Sequence, residues 1–137
     1  MKIYQHRVRV HWGHVDPAKI VFYPRYFEWM DQSALLLFES TGLGWDSLRE
    51  KYGVPGLPIV EAKCRFVSPC RFGDEIVVES SVAKWNDKTL EVGHKITNAG
   101  KLAVEGMEIR VWAGPHPEDP SRLKAASIPE DVRKAFD

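Results

Sequence analysis

The sequence predicts an α+β fold in which one curved antiparallel sheet wraps a single long helix. Two observations carry this. An apolar stripe at helical spacing begins at Pro24, and after a short second helix a series of alternating segments joined by turn sequences occupies most of the remaining chain. Strands that follow a helix, rather than alternate with helices, form segregated layers. A helix this apolar needs cover on several sides, which a closing sheet provides.

Each element has a local cause. Val8-Arg9-Val10-His11-Trp12 alternates apolar and polar residues and reads as a half-buried strand, broken by Gly13-His14. Pro24 suits the first turn of a helix, where its missing N–H costs nothing. From there to about Thr41, Phe27, Met30, Ala34, Leu37 and Phe38 keep helical spacing, Leu35 and Leu36 widen the stripe, and Gly42 is a natural stop. Trp45 to Tyr52 reads as a short helix ended by Gly53, Pro55, Gly56 and Pro58. Ile59 to Val67 alternates, with Val60, Ala62, Cys64 and Phe66 on one face. Strands follow at Glu75 to Trp85, Thr89 to Thr97 and Leu102 to Ala113, joined by Asn86-Asp87-Lys88 and Asn98-Ala99-Gly100-Lys101. In the last strand the inward phase switches from Leu102 and Val104 to Met107, Ile109 and Val111, which predicts a bulge at Gly106. Pro115 to Pro120 leaves the sheet, and Ile128 to Phe136 closes the chain as a short helix.

Length and charge narrow the function. A chain of 137 residues is expected to form one domain over 1–137, burying about two-thirds of its unfolded surface. With 19 basic and 19 acidic residues interspersed, there is no basic field of the kind nucleic-acid binding requires. The first residues lack the apolar core of a signal peptide, and no run reaches transmembrane length, so a cytoplasmic protein without an integral membrane segment is expected. Cys64 and Cys70 are too few for a disulfide scaffold and lack zinc-site spacing, and the five histidines form no ligand pair, so no metal is expected. Cys64 reads as a buried thiol.

The chemistry concentrates at Asp16-Pro17-Ala18-Lys19-Ile20-Val21-Phe22-Tyr23-Pro24-Arg25-Tyr26. Asp16 lies just past a strand end, with its backbone pushed toward extended geometry by Pro17. Residues near Tyr23 to Tyr26 open a helix and should present unpaired N–H groups to the oxygen of a thioester or ester. An acid beside the positive end of a helix suits acyl transfer at a carbonyl. The alternative is an ordinary turn aspartate and an ordinary helix start. His14 is close enough in sequence to touch Asp16, or is a solvated loop histidine. Asp31, at the border of the helix stripe, either turns outward or faces a pocket.

These residues resemble the hotdog-fold acyl-CoA thioesterases, within them the 4-hydroxybenzoyl-CoA thioesterase-like branch. The likeness rests on Asp16-Pro17-Ala18 with Ile20 to Tyr26, on Trp29-Met30-Asp31, on Leu57-Pro58-Ile59-Val60, on Phe66-Val67 leading to Phe72-Gly73-Asp74, and on Glu108-Ile109-Arg110-Val111-Trp112. It implies a hotdog fold, hydrolysis of a CoA thioester, and a homotetramer built as a dimer of hotdog dimers with sites at subunit interfaces. No cofactor beyond the substrate's own CoA is implied. The family's loop acid falls on Asp16, as nucleophile or general base, and its carbonyl-polarising N–H on Tyr23. Asp31, Trp45, Pro58 and Ile59 would line the acyl end, aromatic or short aliphatic. Lys88, Arg122 and Lys124 would meet the CoA phosphates, although the hairpin carries a single positive charge and Lys124 replaces an expected arginine, giving a point charge instead of a fork. No Gly-x-Ser-x-Gly elbow is present. A hotdog dehydratase, which needs a converging histidine and acid, and a non-catalytic acyl- or partner-binding module are the competing readings.

Overall fold

The computed structural model describes residues 1–137. Strand β1 (Ile3–Arg9) leads through a 3-10 turn at Trp12–His14 to helix α1 (Pro24–Glu39) and helix α2 (Trp45–Tyr52). Strands β2 (Ile59–Phe66), β3 (Glu75–Trp85), β4 (Thr89–Asn98) and β5 (Lys101–Val111) follow. A small ribbon, β6 (Ala113–Pro115) with β7 (Leu123–Ala125), and helix α3 (Glu130–Lys134) complete the chain. The sheet is antiparallel in the order β1-β3-β4-β5-β2. Helix α1 lies against its inner face, so the α+β expectation holds.

The boundaries differ in instructive places. β1 starts earlier than Val8 because the alternation already runs through Tyr4, His6 and Val8, which face α1, while His11 and Trp12 have left the sheet. α1 ends at Glu39, short of Thr41: the Ser40 and Thr41 hydroxyls bond back to the carbonyls of Leu37 and Phe38, and Gly42 turns the chain at φ +82°. The proline-rich segment does not simply leave the sheet, since Gly114 pairs with Lys124 in the β6–β7 ribbon.

The predicted bulge at Gly106 is wrong. The extra residue is Ala103, because Ile96 pairs with Val104 but Thr97 with Leu102, whereas Gly106 pairs regularly with His94 on one side and Cys64 on the other. Consequently Met107, Ile109 and Val111 face outward, and Val104, Glu108, Arg110 and Trp112 are buried. Gly106 serves a different need: a Cβ there would stand 2.2 Å from Met30 Sδ.

The core has two apolar parts. Tyr26, Trp29 and Met30 meet Ile76, Val78, Ile96 and Val104 at the start of α1. Leu37 and Phe38 meet Leu48, Leu90, Trp112 and Phe136 toward its end. Between them runs a polar belt: Ser80 Oγ lies 2.7 Å from His94 Nδ1, His94 Nε2 2.8 Å from Glu108 Oε1, and Arg110 Nη2 donates to Glu108 at 3.1 Å. His6 and Ser33 add a pair at 2.9 Å. Burying such groups is tolerable only because they satisfy one another. No helix is long and apolar enough to cross a membrane.

Candidate active site

The loop bearing Asp16 is a tight hairpin bolted to the sheet. Val15 bridges Val21, the Asp16 N–H donates to Ile20 O at 3.0 Å, and the Phe22 N–H donates to His14 O at 2.9 Å. Outside the hairpin, the Val21 N–H donates to Cys70 O at 2.8 Å, and the 71–74 turn that follows is closed by Asp74 Oδ2 accepting from the Arg71 N–H. Asp16 is half-buried, and its Oδ1 accepts the Ala18 N–H at 2.8 Å, which fixes the direction of the carboxylate. His14 does not touch it: Nδ1 accepts the His11 N–H at 2.9 Å, and the ring stands edge-on to Trp29. Burial, and secondarily His11 and Arg25, pull the His14 pKa below the ordinary imidazole value.

One residue beyond the hairpin, α1 begins. Tyr23 already has helical dihedrals (φ −53°, ψ −33°), and Pro24 follows with no N–H to offer. The Arg25 and Tyr26 N–H groups bond to the carbonyls of Phe22 and Tyr23. The expected set of free donors therefore narrows to one: the Tyr23 N–H, which has no acceptor in the chain. It stands at the positive end of a 16-residue helix. Beside it opens an apolar cleft of about 410 Å³ walled by Ile20, Tyr23, Tyr26, Phe66 and Val67, with Phe66 5.8 Å from Tyr26 and 6.5 Å from Tyr23 between ring centroids. The Ala103 bulge helps to shape it, since its carbonyl accepts from both Val67 and Ser68.

The remaining expected residues form two other groups. Asp31 lies two turns along α1, its side chain 61% exposed and its Oδ1 taking the Arg110 guanidinium at 2.7 Å. Trp45 stands against that guanidinium, 5.5 Å from its centre, and Ile59 is Arg110's cross-strand neighbour. Pro58 lies between Leu57 and Ile59, with its carbonyl accepting the Val111 N–H. Lys88 lies beside Trp112, whose N–H donates to Lys88 O at 2.9 Å, while Lys124 pairs with Gly114 in the β6–β7 ribbon, two residues before Ala126, whose N–H donates to Trp112 O. Arg122 precedes β7, with its carbonyl accepting the His116 N–H. All three cationic side chains are exposed.

Within one protomer these groups are not one site. From Ile59 to Phe66, β2 spans roughly 23 Å at ~3.3 Å per residue. Asp16 and Tyr23 belong to the Phe66 end, and Asp31, Trp45, Pro58, Ile59 and the three cations to the other. Sequence reasoning missed Arg110, Glu108 and His94. The available signal was parity: Glu108 and Arg110 share phase with Val104 and Trp112, and His94 with Leu90, Val92 and Ile96. Cys64 is half-buried, its Sγ 3.6 Å from Met30 Sδ, and burial pushes its pKa up to about 11, so it is no nucleophile at neutral pH.

Comparison with known proteins agrees with this architecture. A family model described as the thioesterase-like superfamily matches residues 10–136. The 4-hydroxybenzoyl-CoA thioesterase of Pseudomonas sp. (strain CBS-3) is 32% identical over 129 residues, covering 90% of this chain and 89% of that one. The crystal structure of a mutant 4-hydroxybenzoyl CoA thioesterase complexed with 4-hydroxybenzoyl CoA superimposes with a TM-score of 0.90 at 28% identity, covering 100% of both chains. A gentisyl-coenzyme A thioesterase structure matches with a TM-score of 0.80 at 33% identity, covering 97% of this chain and 98% of that one. The chain belongs to the thioesterase-like superfamily and is a hotdog-fold enzyme of the thioester-hydrolase class.

Proposed function

We propose that this chain hydrolyses an acyl-CoA thioester to the free acid and CoA, with Asp16 as the reacting acid and the Tyr23 N–H as the donor to the carbonyl oxygen. The observation that carries this reading is the single unpaired N–H at the start of α1, one residue past the hairpin that holds Asp16. Negative charge gathers on the carbonyl oxygen during attack, and a fixed donor at a helix start opposes it without reorganisation. Asp16 either attacks the carbonyl carbon, forming an anhydride that water then opens, or takes a proton from the attacking water. In both routes the CoA thiolate departs with the electron pair of the broken C–S bond. Its basicity is low enough that no dedicated acid is needed, and none is found beside Asp16.

The working unit is at least a dimer joined through β2. That strand is a sheet edge, and Ile59, Val60, Phe66 and Val67 are 41 to 64% exposed along it. An antiparallel two-fold pairing sets the Phe66 end of one copy against the Ile59 end of the other. The acid and donor of one copy then face the acyl-lining residues and CoA-binding cations of the second, which one protomer keeps apart. Two such dimers would form the tetramer expected from sequence. The flat face of Trp45 and the aromatic acyl groups named for the relatives favour an aromatic acyl group here.

The test is thiol release from a panel of aromatic and aliphatic acyl-CoA esters. The wild type turns over, and Asp16→Ala and Asp16→Asn lose about a hundredfold or more in kcat while keeping the wild-type melting curve. Equal turnover in wild type and variants removes Asp16 from the chemistry. Tight ester binding with no thiol release in the wild type would favour a non-catalytic binding module.

A further inference from the structure

We infer that Arg110 is the positioning residue of the acyl end of the site, the one group to which Asp31, Trp45 and the segment entering β2 are all tied. The inference rests on the acyl-CoA reading above. Arg110 Nη2 bonds Asp31 Oδ1 at 2.7 Å and Glu108 Oε2 at 3.1 Å, while Nη1 bonds Leu57 O at 3.0 Å. The guanidinium lies 5.5 Å from the Trp45 ring centroid. A single cation thus sets the relative positions of α1, α2 and the start of β2 at the place where the acyl-lining residues gather.

Its burial shows that this arrangement is costly to keep. The Arg110 side chain is 4% exposed and that of Glu108 1%, and the Nε of Arg110 is buried without a partner. Replacing such a cluster by apolar residues is commonly neutral or stabilising, so stability alone does not account for it. The guanidinium fork supplies direction instead: its two terminal nitrogens are held by Glu108 and Leu57 while it commits one oxygen of the otherwise exposed Asp31. His94 and Ser80 extend the support by fixing Glu108 from behind. A lysine would keep the charge and lose these fixed angles.

The experiment measures binding of CoA and of two non-hydrolysable thioethers, S-ethyl-CoA and S-phenacyl-CoA, by calorimetry. In the wild type the phenacyl group strengthens binding over CoA. In Arg110→Lys that advantage falls about tenfold or more, while CoA and S-ethyl-CoA bind within about twofold of wild type. A purely structural role weakens all three ligands in parallel, and that result, an unchanged phenacyl advantage, or no advantage in the wild type overturns the inference. If Arg110→Lys does not fold, Glu108→Gln, which keeps the guanidinium and removes the charge beneath it, carries the same test with the same selective loss expected. Hydrolysis is read separately: a wild type that releases no thiol yet loses the phenacyl advantage in Arg110→Lys sinks the hydrolase reading and leaves Arg110 in its role.

Discussion

Gly106 shows how one residue sets the path of its surroundings. Its missing Cβ is the space that Met30 Sδ and Cε occupy, and Met30 is fully buried, so an added methyl forces that side chain to shift within the core. Gly106→Ala should therefore cost about 1–3 kcal/mol of stability by overpacking, read from urea denaturation, and Met30→Ala in the same chain should recover part of it. An additive double mutant would contradict the contact. The sequence did disclose that Gly106 mattered, but for the wrong reason, because an apolar residue is ordinarily taken as the inward one. Met107, Ile109 and Val111 face out in this strand, and Glu108 and Arg110 face in. The shared phase of Glu108 and Arg110 with Val104 and Trp112 was the available signal, but it competes with the apolar character of the opposite phase, and the partners that make the burial tolerable, His94 and Asp31, arrive from other elements. The local setting of Asp16 and Tyr23 was readable because short-range residues dictate it: Pro17 inside the hairpin turn and Pro24 at the helix start.

At the scale of elements, β2 is the anomaly. Its alternation resembles that of a half-buried strand, yet only Cys64 is partly covered, and the outer edge of its backbone is unpaired. Val60, at the register shift between Ile59 and Glu61, is 64% exposed. In a monomer Val60→Glu would be an ordinary surface change worth less than about 0.5 kcal/mol. In the dimer proposed here it places a charge in the shared edge, so sedimentation should show the wild type as a dimer or larger and the variant as a monomer with little turnover. A monomeric wild type would refute the pairing. The helices were more legible than the strand, because their caps are local, as at Pro24 and at Gly53 with φ +69°.

At the scale of the molecule, two consequences follow from how the parts are placed. His6 faces the core beside Ser33, and burial holds its pKa below the ordinary imidazole value of 6.5, as it does for His14. The folded chain keeps these rings neutral where the unfolded chain would protonate them, so their contribution to stability is full above about pH 6.5 and declines as pH falls below it. Urea midpoints should drop between about pH 7 and 5.5, less steeply in His6→Gln, and a flat profile would contradict the assignment. The second consequence is that Asp16 and Tyr23, the proposed acid and donor, stand at one end of β2 and the proposed acyl-lining residues at the other, a separation that the proposed dimer would close and that local spacing in the sequence does not encode. Subunit complementation tests this most directly. Asp16→Asn and Asp31→Ala, each nearly inactive alone, are unfolded together and refolded as a mixture. The account predicts recovery of about a quarter of wild-type activity, since half the dimers are mixed and each mixed dimer holds one intact site of two. Activity no greater than that of the separate variants would contradict it, because a site made within one protomer cannot be repaired by exchange.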